Sequence, residues 1–151
     1  MPAPITPVPP LDVSLRDEID ALYKQAKQQI QSGDTAGGIK TAEAAWEKLP
    51  APKFGWDVSK SFTHSLARFY RDTGDHPRAI QLMNELFNSG TVRDYQDGPR
   101  FILATVYFAM GDEASAMQWF TEANRISKGR CFREQDPRYA EFFKARAPKK
   151  T

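Results

Sequence analysis

The side chains of this sequence most able to do chemistry are one thiol, two imidazoles and two close pairs of carboxylates. Cys131 stands in "KGRCFREQD", where basic neighbours could lower a thiol pKa and make it a nucleophile, with His64 or His76 as its base. The spacing argues against this use. His64 falls in a helical stretch and His76 in a turn, and nothing in the order of the chain brings either beside Cys131, which reads as a packed structural cysteine. Asp94/Asp97 and Glu134/Asp136 fall in predicted loops, where capping and solvation account for them. There is no Gly-rich phosphate loop, no zinc-spaced Cys/His set and no His-Glu-x-x-His. No active site is read, and neither a cofactor nor a metal is expected.

With no catalytic set to position, the elements themselves carry the information. The chain has 151 residues, 40% of them hydrophobic and 12% aromatic, enough for one domain with a sizeable core. A single cysteine cannot form an internal disulfide, so a reducing cytoplasm is the expected compartment. The opening "MPAPITPVPP" places five prolines in ten residues without a basic start or an apolar core. It reads as an extended leader over residues 1–13, neither a signal peptide nor a membrane span. Charge is unevenly spread. Residues 1–124 hold twelve Lys/Arg against sixteen Asp/Glu, whereas residues 125–151 hold nine against three.

The pair Gly-Asp occurs at Gly33-Asp34, Gly74-Asp75 and Gly111-Asp112, 41 and 37 residues apart, and the surrounding residues repeat with it. Eight residues before each glycine stand Gln25, Leu66 and Leu103, followed by the small Ala26, Ala67 and Ala104; four before it stand Gln29, Tyr70 and Tyr107. Five residues after it stand Gly38, Ala79 and Ala116, then Ala42, Met83 and Phe120, then Ala45, Leu86 and Ala123. Small residues at this period let two antiparallel helices approach closely, large ones fill the gaps between neighbouring pairs, and glycine permits a positive φ at a helix end. Predicted helices cover 15–32, 35–48, 58–73, 76–88, 99–110 and 113–126. Ser14 can cap the first, with Asp17 three residues on, and Pro99 suits the first position of the fifth. A seventh is expected in "DPRYAEFFKAR", with Asp136 as N-cap, Pro137 at N1, and Tyr139, Phe142 and Phe143 on one face.

This pattern resembles the tetratricopeptide repeat, whose signature is a large apolar residue, a small one, an aromatic, a Gly-Asp-like turn, then a small, a large and a small residue. The third unit matches best; the first is weakest, because Gln25 and Gln29 replace apolar positions. The resemblance implies an all-α fold, an antiparallel helix-pair solenoid of about three repeats over residues 14–128. A loop and capping helix would follow at 129–146 and a basic tail at 147–151.

In that family the first helix of each pair lines a concave surface. Carried across residue by residue, the register puts Tyr23, Lys24 and Lys27 there from the first unit, His64, Arg68 and Arg71 from the second, and Phe101, Thr105 and Phe108 from the third. The face would run from cationic to apolar, which suits a protein or peptide partner with acidic and apolar segments. "FILATVYFAM" is apolar almost all round and needs a second cover, for which the C-terminal segment is the first choice and a partner the second. Arrays of the family that clamp the terminal carboxylate of heat-shock chaperones use a Lys, Asn and Arg set. Here those positions read Tyr23, Lys27, Ser65, Gly98 and Ile102, so that subtype is not expected.

The reading is a non-enzymatic protein-protein interaction module. Free-standing arrays of this size resemble bacterial immunity proteins, secretion chaperones and adaptors. The alternative is a nucleic-acid-associated adaptor using the basic C-terminal segment, from Arg125 to Lys150. Cations at a helix end also favour the helix dipole, so nucleic acid is not the expected partner, and no membrane partner is expected.

Overall fold

The structure, a computed structural model, describes residues 8–148, so the first seven residues of the leader and the last three of the basic tail lie outside the described residues. Among the described residues it is all-helical: α1 (Val13–Gln31), α2 (Thr35–Glu47), α3 (Ser59–Asp72), α4 (His76–Asn88), α5 (Asp97–Ala109), α6 (Glu113–Ser127) and α7 (Pro137–Arg146), with a 3-10 turn at Arg130–Phe132 before α7. The chain divides into two compact units, Met1–Phe69 and Tyr70–Thr151, the division falling inside α3.

The repeated Gly-Asp pair is a backbone device. Gly33, Gly74 and Gly111 have φ of +99°, +89° and +84°, the left-handed conformation that closes a helix. At each, the glycine N–H donates to the carbonyl three residues back, of Ile30, Arg71 or Phe108. The aspartate N–H donates to the carbonyl five residues back, of Gln29, Tyr70 or Tyr107, at 2.8–3.0 Å. These are the paired bonds of a Schellman closure. The aspartate side chain then caps the next helix, accepting from Gly37, Arg78 and Ser115 N–H at 2.9, 3.3 and 3.1 Å. One dipeptide thus ends one helix and starts the next, which forces an antiparallel hairpin.

In the first unit α1 packs on α2 through residues with little or no side chain: Ala26, Ala42 and Ala45 are fully buried, as is the face of Gly38. A Cβ on Gly38 would stand 2.9 Å from the Ala26 carbonyl oxygen and collide with the Ile30 side chain. At the first helix the N-cap is Asp12, accepting from Leu15 N–H at 3.1 Å, rather than Ser14. The reason is tertiary: Leu11 is buried and its N–H donates to Asp57 Oδ1 at 3.0 Å, fixing the entry two residues earlier. After α2, the Lys53 ammonium donates to the Trp46 and Leu49 carbonyls at 2.6 and 2.8 Å, satisfying acceptors left open at the helix end.

The second unit is aromatic. Phe101 and Phe120 meet edge-on at 5.4 Å between centroids, and Ala104, Ala116 and Ala123 bring α5 and α6 together beneath them. Helix α5 begins at Asp97, not Pro99, because the preceding loop is closed by its own bonds: Arg93 N–H donates to Gln96 Oε1 at 2.9 Å, and the Arg100 guanidinium donates to the Gln96 and Arg93 carbonyls at 2.7 and 3.1 Å. Asp136 caps α7 with Pro137 in its first turn, and Tyr139 and Phe142 turn inward.

Candidate partner-binding site

The nine residues expected on the first-helix faces fall five in the first unit and four in the second, and the two sets have opposite character. In the first unit Tyr23 is 7% exposed and holds α1 to α3, its hydroxyl donating to the Phe62 carbonyl at 3.3 Å. Its ring lies 5.7 and 6.0 Å from those of Phe62 and Phe69. Tyr23 is therefore an anchor between helices. Lys24 and Lys27, beside it and one turn on, are exposed. The other α1 cation, Arg16, pairs with Asp17, and α2's Lys48 pairs with Glu18; among the described residues Lys24 and Lys27 enter no ion pair.

On α3, Lys60, His64 and Arg68 stand at successive turns. His64 is largely buried, and its Nε2 has no hydrogen-bond partner. Burial, with Arg68 and then Lys60 nearby, pushes its pKa down to about 4. The imidazole is neutral at physiological pH. Arg68 is exposed and Lys60 partly so, and the chemistry available on this unit is two cations beside one neutral imidazole on α3, with Lys24 and Lys27 on α1. Such a surface attracts carboxylates.

In the second unit the expected residues are turned inward. The Arg71 side chain is only 14% exposed; its Nε lies 2.8 Å from Asp72 Oδ1, and its Nη1 donates to Thr105 Oγ1 at 2.8 Å. Thr105 in turn donates to the Ile102 carbonyl at 2.6 Å and is buried. Arg71 and Thr105 are thus brought together, and their contact is internal. Phe101 is 4% exposed and Phe108 partly buried, both covered by α7: Tyr139 meets the two rings edge-on at 5.8 and 5.3 Å, and Phe142 meets Phe108 at 5.1 Å. The C-terminal segment is therefore the cover of α5.

Cys131 belongs to this aromatic core, in the 3-10 turn between α6 and α7. Burial raises its thiol pKa, the opposite of what its basic neighbours suggest in the sequence, and its N–H donates to Ser127 Oγ at 3.0 Å. A thiol held protonated and buried is a poor nucleophile. Among the described residues no three His, Cys, Asp or Glu side chains gather as metal ligands, and no helix is long and apolar enough to cross a membrane.

Sequence reasoning missed Asp72 and Thr105 as the partners of Arg71, whereas Tyr139 lies on the helix face expected to cover the array. The Arg71–Thr105 bond spans 34 positions and leaves no local signal. Asp72 beside Arg71 was a visible one. Of the nine basic residues of the C-terminal segment, Arg125, Arg138 and Arg146 are committed to Glu122, Asp136 and Glu113.

The fold is shared with PcrH from Pseudomonas aeruginosa, at a TM-score of 0.59 and 17% sequence identity, over 91% of this chain and 95% of that one. No family model matches the chain, and no curated relative matches its sequence. Together with the helix pairs, that likeness defines an all-α protein of tetratricopeptide-like architecture.

Proposed function

We propose that this protein is a non-enzymatic binding module of the chaperone or adaptor kind, which captures a partner protein through the first-helix faces of its pairs. The observation that carries the reading is the exposed Lys24 and Lys27, without an ion pair among the described residues, on the helix that Tyr23 joins to α3 in the same unit. Charge of one sign left without internal partners attracts an acidic segment and speeds its encounter. The fold shared with PcrH supports the helix-pair architecture on which this reading rests. In this reading residues 14–128 are the binding body, 129–146 its cover, and the site comprises Lys24, Lys27, His64 and Arg68, with Tyr23 as the residue that positions them. The protein acts in the cytoplasm, and immunity towards a cognate toxin is one form the same one-to-one capture can take.

The test is affinity capture with the tagged full chain, followed by association kinetics with the captured protein. Lys24→Glu/Lys27→Glu is expected to slow association about tenfold or more at low salt and to flatten its salt dependence, with melting unchanged. An association rate equal to that of the parent would place the site elsewhere. Recovery of RNA or DNA, lost when Lys128, Arg130, Arg133 and Lys144 are neutralised together, would favour the nucleic-acid reading instead.

A further inference from the structure

We infer that α7 is an internal occupant of a helix-binding seat on the second unit, and that the seat also accepts a partner's amphipathic helix bearing two aromatic side chains three residues apart. The inference rests on the reading of this protein as a binder and names a second class of ligand for it. Phe101 and Phe108 stand two turns apart on α5; Phe101 meets Phe120 and Phe132 as well as Tyr139 of α7, and Phe108 meets the α7 rings Tyr139 and Phe142. Tyr139 inserts between them, touching both rings edge-on, and Phe142, one turn on, packs on Phe108 at 5.1 Å and Phe120 at 6.1 Å. Phe143 reaches Phe132 at 5.2 Å. This is the arrangement by which an amphipathic helix is held in a groove, with anchors at i, i+3 and i+4 on one face.

The attachment of α7 is of the kind that opens. The helix is ten residues long, below the length at which a helix holds itself together in water. Its one long-range ion pair, Arg146 to Glu113 at 3.0 Å, joins exposed side chains and is of the class that contributes little. Asp136 and Arg138 pair locally, within the start of the helix itself. The connecting segment carries two non-glycine residues in the left-handed region, Lys128 at φ 55° and Glu134 at φ 60°. That conformation is strained for a side chain bearing a Cβ, and release of α7 relieves Glu134. What holds α7 is the aromatic seat, and another helix with the same aromatic spacing competes for it.

The experiment uses the full chain and a fluorescein-labelled peptide of the sequence of residues 136–147. Native-state hydrogen exchange is expected to show α7 amides at least tenfold less protected than those of α5, with an opening nearly insensitive to low denaturant. The peptide is expected to bind Phe142→Ala at least tenfold more tightly than the parent, and Phe108→Ala in the same background to abolish binding. Should Phe142→Ala fold poorly, Arg146→Glu loosens α7 with every ring kept, by placing a second carboxylate beside Glu113 and removing the guanidinium that lies 4.2 Å from the Phe142 ring; its α7 exchange and its peptide affinity should each rise severalfold. Exchange of α7 only by global unfolding, or equal peptide affinity in parent and released variants, overturns the inference. Neither readout uses a natural partner, so a captured protein that binds with α7 closed would retain the proposed function and lose this inference alone.

Discussion

The α1–α2 and α5–α6 pairs share one backbone and differ in almost everything that fills it. Both close with a left-handed glycine and a capping aspartate. Between α1 and α2, however, Gln29 takes the aromatic position and accepts from Thr41 Oγ1 at 2.6 Å, while Gly38 takes the alanine position. Between α5 and α6 the corresponding places hold Tyr107 and Ala116, and Phe120 is fully buried against four other aromatic rings, three of them from the 3-10 turn and α7. The lesson is that the turn chemistry sets the hairpin and leaves the interior free to differ. A lightly filled pair keeps its first helix open to solvent with cations on show. An aromatic pair needs a cover, and α7 supplies it.

The largest expected effect breaks the aromatic side of this contrast. Phe120→Ala removes a ring with no exposed surface and should cost about 3–5 kcal/mol of unfolding free energy, read from urea denaturation. In α1 and α2 the fully buried positions, Ile19 apart, are alanine and glycine, which leave no large side chain to remove.

Acid should act on the first unit through His64. Its folded-state pKa, about 4, lies below its ordinary 6.5, so the folded protein binds fewer protons than the unfolded one between those values. Stability contributed by the neutral imidazole is complete above pH 6.5 and is lost as pH falls through 4. At 1.36 kcal/mol per unit the ceiling is about 3 kcal/mol. His64→Leu is expected to flatten the stability profile of the parent between pH 6.5 and 4; an unchanged slope would show that the imidazole is not buried neutral.

Gly38→Ala sharpens the comparison, because alanine is the residue at the matching positions Ala79 and Ala116. Helix propensity favours the change by about 1 kcal/mol, but a Cβ 2.9 Å from the Ala26 carbonyl and against Ile30 forces the pair apart, a cost of about 1–3 kcal/mol. A net loss of up to about 2 kcal/mol is expected by thermal or urea unfolding. A gain would mean that α1 and α2 separate freely.

Much of the fold was legible because Gly-Asp is local chemistry. The glycine conformation and the aspartate cap are encoded by residue type at one place, so three registers could be aligned without any long-range information. The entry of α1 was not legible in the same way. Asp12 and Ser14 are both good caps, and the choice is made by Leu11 and Asp57, 46 residues apart. The site was less visible than the fold. Spacing placed Arg71 and Thr105 on one face, yet only the packing of α5 against the end of α3 shows that they spend their polar groups on each other. Cys131 was legible as a packed cysteine in spite of its basic neighbours, and it is buried among aromatic rings, where burial raises its thiol pKa.

The smallest expected effect on stability belongs to the surface. Lys24→Glu/Lys27→Glu should leave unfolding free energy within about 0.5 kcal/mol of the parent, because both side chains are exposed and ion-pair-free. A loss of several kcal/mol in urea titration would show an internal role and remove them from the site.

The central claim, that a partner sits on the first-helix face, is tested most directly by placing a photo-reactive amino acid at Lys27 on α1 or at Lys40 on α2, both exposed, in the full chain bound to its captured partner. The expected result is a covalent adduct with the partner from position 27 and none from position 40. An adduct from position 40 with none from position 27 would contradict it.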